Sequence, residues 1–323
     1  SNFTGSGHTY TFKLTPATDP SRITITIAND AATPTSGSLP VAGIKKEIFF
    51  RKAIADESNL VLWFPLNDAN GSSVAKDWGP NQVNGVITGS PNRVAGKVGT
   101  SFQFDGNDDK VVVPFDNCML IDQYTLSLWA RPETNDESWT FLAGRQKNGK
   151  RNYYMELQYS NHATSGSLAH RFHKNNNGDD GLASSAGVMM NQWNHLVISN
   201  PGNPGTAKTY INGQAIQSGT INNIIRINLE GDFCIGVEPD SQSQSYFKGR
   251  IQDVRLYSVG FSDSQVLGLY SSVASDSGVP VISTQSPVSI NSGTSISLAQ
   301  SAAIPKSGFA LTWSENALPT GLS

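Results

Sequence analysis

Glu156 is the carboxylate of this chain best placed for glycosidic-bond chemistry. It lies in Tyr153-Tyr154-Met155-Glu156-Leu157-Gln158-Tyr159, a run that reads as an inner strand. A retaining glycosidase needs two carboxyl groups about 5–5.5 Å apart. On one strand that requires acids at i and i+2 or i+4. The same-face neighbours of Glu156 are Tyr154 and Gln158, so the pair is missing. Nucleophilic catalysis has no better support, because no Gly-x-Ser-x-Gly elbow occurs. His195 follows Trp193 and reads as core packing, while His170 and His173 stand on opposite faces of a strand and read as two partly exposed polar residues. The chain is expected not to be an enzyme.

Recognition suits these residues better. Aromatic faces stack on sugar rings, and amides and guanidinium groups bond the hydroxyls. The candidates are Trp139, Arg145, Tyr154, Glu156, Gln158, His170 and Arg171, core packing being the stronger reading for each aromatic taken singly. A polar rim loop, Lys174-Asn175-Asn176-Asn177-Gly178-Asp179-Asp180, could add to them, since functional loops sit on rigid scaffolds. Calcium takes six to eight oxygens from acidic loops. Its candidate ligands are Asp68 beside Asn67, Asp77, Asp105 and Asn107 in Asp105-Gly106-Asn107-Asp108-Asp109, and Asp253. The alternative is turn chemistry at Asp-Gly-Asn and a strand-edge role for Asp253.

The elements that must position these residues are strands. Period-two alternation punctuated by Gly, Asn, Asp and Pro runs through nearly all of the 323 residues, and predicts an all-β fold. Asn212-Gly213 between Lys208–Ile211 and Gln214–Ile216 predicts a type I′ hairpin. Helical spacing with a cap occurs only at Ser262–Tyr270. Charged residues make up 15%, low against the usual ~25%. That balance suits an exported β-protein with a surface of Ser, Thr, Asn and Gln. The net charge of -3 offers no basic stripe for nucleic acid, and no apolar run reaches the ~20 residues of a membrane span. The chain opens Ser1-Asn2-Phe3-Thr4 without a leader, which predicts a processed chain or a piece of a longer one.

Six phrases then fall in order: Leu60 to Gly85, Gly96 to Pro114, Tyr124 to Pro132, Gln192 to Ser199, Lys208 to Gln214 and Tyr246 to Tyr270. Together they resemble the laminin-G-like, concanavalin A-like jelly-roll family, of the type found in bacterial surface and carbohydrate-active proteins. The resemblance implies an antiparallel jelly-roll sandwich over residues 55–275, with its first and last strands adjacent. That adjacency could bring Asp68 or Asp77 towards Asp253. The ExDxxE-like phrase of the glucanases in this family is absent. Residues 1–54 and 276–323 resemble partial bacterial immunoglobulin-like or cadherin-like repeats. The phrases that carry this are Gly5 to Phe12, Ala28 to Thr33 and Leu318 to Ser323.

Three functions follow as expectations. The first is an extracellular or cell-surface adhesion or carbohydrate-binding module, whose partners are a glycan or surface protein and neighbouring immunoglobulin-like domains or subunits. The second is a filament or scaffold unit completed by strand addition. The third is an accessory sugar-binding domain of a glycoside hydrolase. Cys118 and Cys234, the two cysteines, are either idle thiols or one disulfide across the sandwich.

Overall fold

The computed structural model describes residues 57–274 apart from 98, 134–138, 160–164, 174–178, 184–186, 203, 222–229 and 243–244. Outside that block it describes the strands Phe3–Ser6, Thr9–Leu14, Ser21–Ile27, Ile44–Lys52, Pro280–Ile282, Ile296–Ala299 and Phe309–Glu315. The chain divides into two compact units, Ile54–Ala274 and a second made from Ser1–Ala53 together with Ser275–Ser323.

The central unit is a sandwich of two antiparallel sheets. One has eight strands, with Tyr124–Pro132 between Asn194–Asn200 and Lys248–Tyr257 near its middle. The other has nine, running Asp179–Ala183, Ser165–His173, Lys150–Gln158, Trp139–Lys147, Phe233–Ile235, Lys110–Val113, Gly85–Thr88 and Val74–Ala75, with Val188–Met189 paired to the side. Alternation explains the layers. Tyr153, Met155 and Leu157 turn inward with Val111, Val113, Phe233 and Ile235, and meet Leu126, Leu128, Leu196, Ile198 and Ile251 from the facing sheet in one core. The intervening Tyr154, Glu156 and Gln158 must then face away from that core. The first strand, Leu60–Phe64, pairs with the last, Lys248–Tyr257, placing Trp63 opposite Arg255. The resemblance implied this adjacency.

Local signals are borne out where their chemistry is local. Asn212 and Gly213 take φ of 52° and 78°, the two left-handed positions that a type I′ turn needs. The Asn212 side chain also accepts a hydrogen bond from the His195 amide at 2.9 Å. The helix covers Asp263–Ala274 behind a reciprocal cap: the Ser262 amide donates to Gln265 Oε1 at 2.9 Å, and the Gln265 amide to Ser262 Oγ at 3.4 Å. Its Val266 and Leu269 are buried, and Tyr270 stacks on Trp129 at 5.7 Å.

The second unit differs from the expectation that each flank is completed elsewhere. Thr9–Leu14 pairs with Phe309–Glu315, and Ile44–Lys52 with Pro280–Ile282. Each sheet of this unit therefore mixes strands from both ends of the chain. An unpaired hairpin is marginal alone, and this pairing gives each sheet at least three strands.

Candidate functional site

The face of the nine-stranded sheet turned away from the core carries the candidate site. Register sets Trp139 opposite Gln158, Phe141 opposite Glu156, Glu156 opposite Ala169, and Tyr154 opposite Arg171. Arg171 links three strands: its Nε donates to Glu156 Oε1 at 2.6 Å, and its guanidinium lies 5.0 Å from the Trp139 ring centre. Gly181, opposite Arg171 on the next strand, keeps this path open, because a Cβ there would fall 2.8 Å from Arg171 Cδ. Gln158 is exposed, while Trp139, Glu156 and Arg171 are partly exposed.

A second aromatic layer supports this ladder. Tyr154 meets Phe141 edge-on at 4.7 Å, and Arg151 covers the Tyr154 ring at 5.1 Å. Burial pushes the Tyr154 phenol well above its ordinary value, and the nearby Glu156 and Glu238 carboxylates add to this. Val237 and Cys234 complete the cluster, with Tyr246 packed on it. Residues 236–242 and 245–247 are tied to the strands of this sheet. Phe141 N donates to Ser245 O at 3.0 Å and Thr140 Oγ1 to Tyr246 O at 2.9 Å. Asp240 accepts from Gln146 Nε2 at 3.0 Å, Asn148 N at 2.9 Å and Gly149 N at 2.5 Å. Sequence reasoning missed Phe141, Arg151 and Glu238. Phe141 was legible, since it shares a strand face with Trp139; Glu238 was not, because its segment reaches the site only through tertiary folding.

Two candidates fall outside the site. Arg145 is 1% exposed; its Nε donates to Gly231 O at 2.9 Å and a terminal nitrogen to Met119 O at 3.5 Å, and it covers the Phe115 ring at 5.1 Å. The register shifts between Phe141 and Ala143, and again between Ala143 and Arg145. These irregularities break strict alternation, so residues in step with Trp139 end on the core side. His170 neighbours Arg171 on one strand, so the two face oppositely. It is fully buried rather than partly exposed, with Nε2 2.6 Å from Tyr124 Oη, and burial lowers its pKa to about 3. His195 is core, as expected: it is 2% exposed, with Nε2 2.9 Å from Ser127 Oγ. This Ser–His contact is no nucleophile pair, because burial and the Arg255 charge also lower His195 to about 3, and both residues are sealed from solvent. Of the rim loop, residues 174–178 lie outside the described residues, as does the side chain of His173.

The expected calcium ligands are largely committed to the protein itself. Asp77 is buried, with Oδ1 accepting from Trp63 N and Gly79 N, both at 2.8 Å, and Oδ2 from Val83 N at 2.9 Å. Burial lifts its pKa to about 6 against those bonds. Asp253 accepts from Trp63 Nε1 at 2.7 Å and Arg255 Nε at 2.8 Å. Strand adjacency thus brings Asp77 and Asp253 to the backbone and indole of one tryptophan, not to one ion. Asp68 is buried and accepts from Lys76 N at 3.3 Å. Among the described residues, the acids that converge are Asp105, Asp108 and Asp109, with oxygens within 4.8 Å of one another. Asn107 joins this turn as a donor, through N at 2.8 Å and Nδ2 at 3.1 Å to Asp105.

The cysteines are free thiols. Cys118 packs on the main core and Cys234 in the cluster beyond the sheet, so no bridge joins them. Burial raises the Cys118 thiol to about 12, and the Cys234 thiol moves up for the same reason.

Residues 105–267, half of the chain, match the Laminin_G_3 model, described as the Concanavalin A-like lectin/glucanases superfamily. The chain belongs to this superfamily. Solved structures agree on the fold. The binding domain of Paraclostridial Mosquitocidal Protein 1 superposes with a TM-score of 0.55 at 18% identity, over 69% of this chain and 54% of that one. Domain 4 of AbnA, a GH43 extracellular arabinanase from Geobacillus stearothermophilus, was solved with arabinotriose; it gives 0.52 at 23% identity, over 66% of this chain and 98% of that one. The serotype G botulinum neurotoxin binding domain gives 0.51 at 15%, over 66% and 50%. In sequence, the chain is 26% identical over 157 residues to the adhesion G-protein coupled receptor V1 of Danio rerio, which is 48% of this chain and 2% of the receptor. The chain thus spans a small fraction of that relative and about half of the mosquitocidal domain. Among the described residues, no helix is long and apolar enough to cross a membrane.

Proposed function

We propose that the central sandwich is a non-catalytic glycan-binding module of an extracellular or cell-surface protein, serving adhesion or acting as the accessory domain of a glycoside hydrolase. The observation that carries this reading is the Trp139–Arg171–Glu156 ladder beside Gln158. It joins an aromatic ring to planar donors and acceptors on an accessible sheet face. The arabinotriose bound by the similar AbnA domain supports a sugar as ligand, and the toxin binding domains support a glycan or a surface protein as partner. Catalysis is left out because Glu156 is partnered by a guanidinium and not by a second carboxylate. Calcium belongs to this reading only at Asp105, Asp108 and Asp109, where the oxygens converge.

Trp139→Ala is expected to weaken glycan binding roughly tenfold, about 1.4 kcal/mol, with the circular dichroism spectrum unchanged. Glycan-array and titration signals with and without EDTA measure both the ladder and any calcium contribution. Retention of full affinity by the variant would remove the ladder from the site.

A second reading, a scaffold unit completed by strand addition, requires the strand pairing of the terminal unit to form between copies rather than within one chain. The sheets of that unit combine strands from both chain ends, and the same pairing can form between copies. Thr11 and Thr312 face each other in register. Under oxidation, Thr11→Cys combined with Thr312→Cys is expected to close within one chain. A non-reducing ladder of multimers would instead select the scaffold.

A further inference from the structure

We infer that the ligand of the ladder face is an uncharged polysaccharide rather than a uronate-bearing or sulfated one; this rests on the sugar-binding reading above. Among the described residues, positive and negative groups on the face stand together. Arg171 is paired to Glu156 at 2.6 Å, with side-chain exposures of 28% and 12%. Around Tyr154, Arg151 covers the ring, while Glu156 and Glu238 lie close enough to oppose ionisation of its hydroxyl. Glu238 is held there by the amide and hydroxyl of Ser241, at 3.0 and 2.9 Å. Two guanidinium groups and two carboxylates thus stand around Glu156 and Tyr154.

An anionic ring seated on Trp139 would meet an Arg171 whose charge is already neutralised by Glu156 at 2.6 Å, and would bring its own charge up to that carboxylate. Like charges this close at a protein surface repel each other. A polyol avoids that cost. It donates to the free lone pairs of Glu156 and accepts from the remaining Arg171 N–H groups and the Gln158 amide, with every charge left in place.

Among the described residues, the nearby lysines are placed or used elsewhere. Lys147 and Lys150 flank the turn at the far end of the hairpin, six residues along the strand from Glu156 to Lys150, about 20 Å at ~3.3 Å per residue. The Asp240 carboxylate already occupies that turn. Lys110 Nζ is used by Gln242 O at 2.6 Å.

Titration of the full chain with neutral polysaccharides (arabinan, mannan, β-glucan) and acidic ones (polygalacturonate, heparin) tests this. Binding is expected for a neutral polymer, with affinity changing less than about twofold between about 50 and about 500 mM NaCl. Glu156→Gln, which leaves Arg171 uncompensated, is expected to gain at least about tenfold in polygalacturonate or heparin affinity at low salt. Wild-type binding to an acidic polymer that weakens with salt and is lost in Arg171→Ala would overturn the uncharged class and leave the sugar site standing. Silence towards both classes would overturn the site along with the class. Neutral binding that survives both Trp139→Ala and Arg171→Ala would place the ligand elsewhere.

Discussion

Arg145→Ala is expected to destabilise the central sandwich by about 3–5 kcal/mol, the largest single-residue effect in this protein. The guanidinium is sealed at 1% exposure, bonds the carbonyls of Gly231 and Met119, and lies against Phe115. The Tyr153 hydroxyl reaches the same Met119 carbonyl at 3.2 Å, so Arg145 and Tyr153 together hold the short turn Asn117–Met119. Truncation leaves the Gly231 carbonyl without its Arg145 donor, leaves the Met119 carbonyl to the Tyr153 hydroxyl, and opens a cavity. For a domain of this size the melting temperature should fall by roughly 10 °C. Arg145→Met restores volume without charge and should recover part of that loss. Denaturant unfolding with matched binding assays separates structure from ligand contact. An Arg145→Ala protein of wild-type stability that had lost glycan binding would return this residue to the site.

Acid sensitivity is the second large effect. His170 and His195 are buried and neutral, both lowered from 6.5 to about 3 by desolvation. A base depressed in the folded state contributes stability that is complete above the unfolded value of 6.5. That contribution is lost as pH falls from there towards 3, at about 1.4 kcal/mol per pH unit for each ring. Asp77 and Asp109 act in the opposite sense. Burial raises each from 3.8 to about 6, so their contribution is present below 3.8 and lost as pH rises through 6. Between pH 6 and 4 the two pairs offset each other, and the wild-type profile alone understates the histidines. The difference between wild type and His170→Gln isolates one ring. Wild type should lose about 1.4 kcal/mol per pH unit relative to the variant across that window. Parallel stability profiles would show that His170 takes up its proton in the fold; an imidazole NMR signal titrating near pH 6.5 would show the same.

How far the site could be read before folding is visible in two adjacent pairs of residues. Tyr153 and Tyr154 separate to core and outer face because side chains alternate along a strand, and the same rule put Glu156 and Gln158 beside Tyr154. His170 and Arg171 obey it too, so one of them had to be buried; which one depends on strand register, and register is non-local. Arg145 shows the rule's limit, since the irregularities at Ala143 moved it inward after Trp139 and Phe141 had faced out.

Sequence by itself determined the all-β character, the Asn212-Gly213 turn, the Ser262 cap and the jelly-roll family, because each rests on local periodicity, local backbone chemistry or ordered phrases. It also determined that Glu156 lacks an acidic partner on its own strand. Only the tertiary structure decided that Arg171 reaches across to Trp139, that Asp77 and Asp253 serve Trp63, that the cysteines lie in separate clusters, and that the two ends of the chain pair with each other. The physical reason is common to all four. A side chain's charge, ring or lone pairs act on whatever lies within a few ångströms, and sequence spacing does not specify that neighbour across strands.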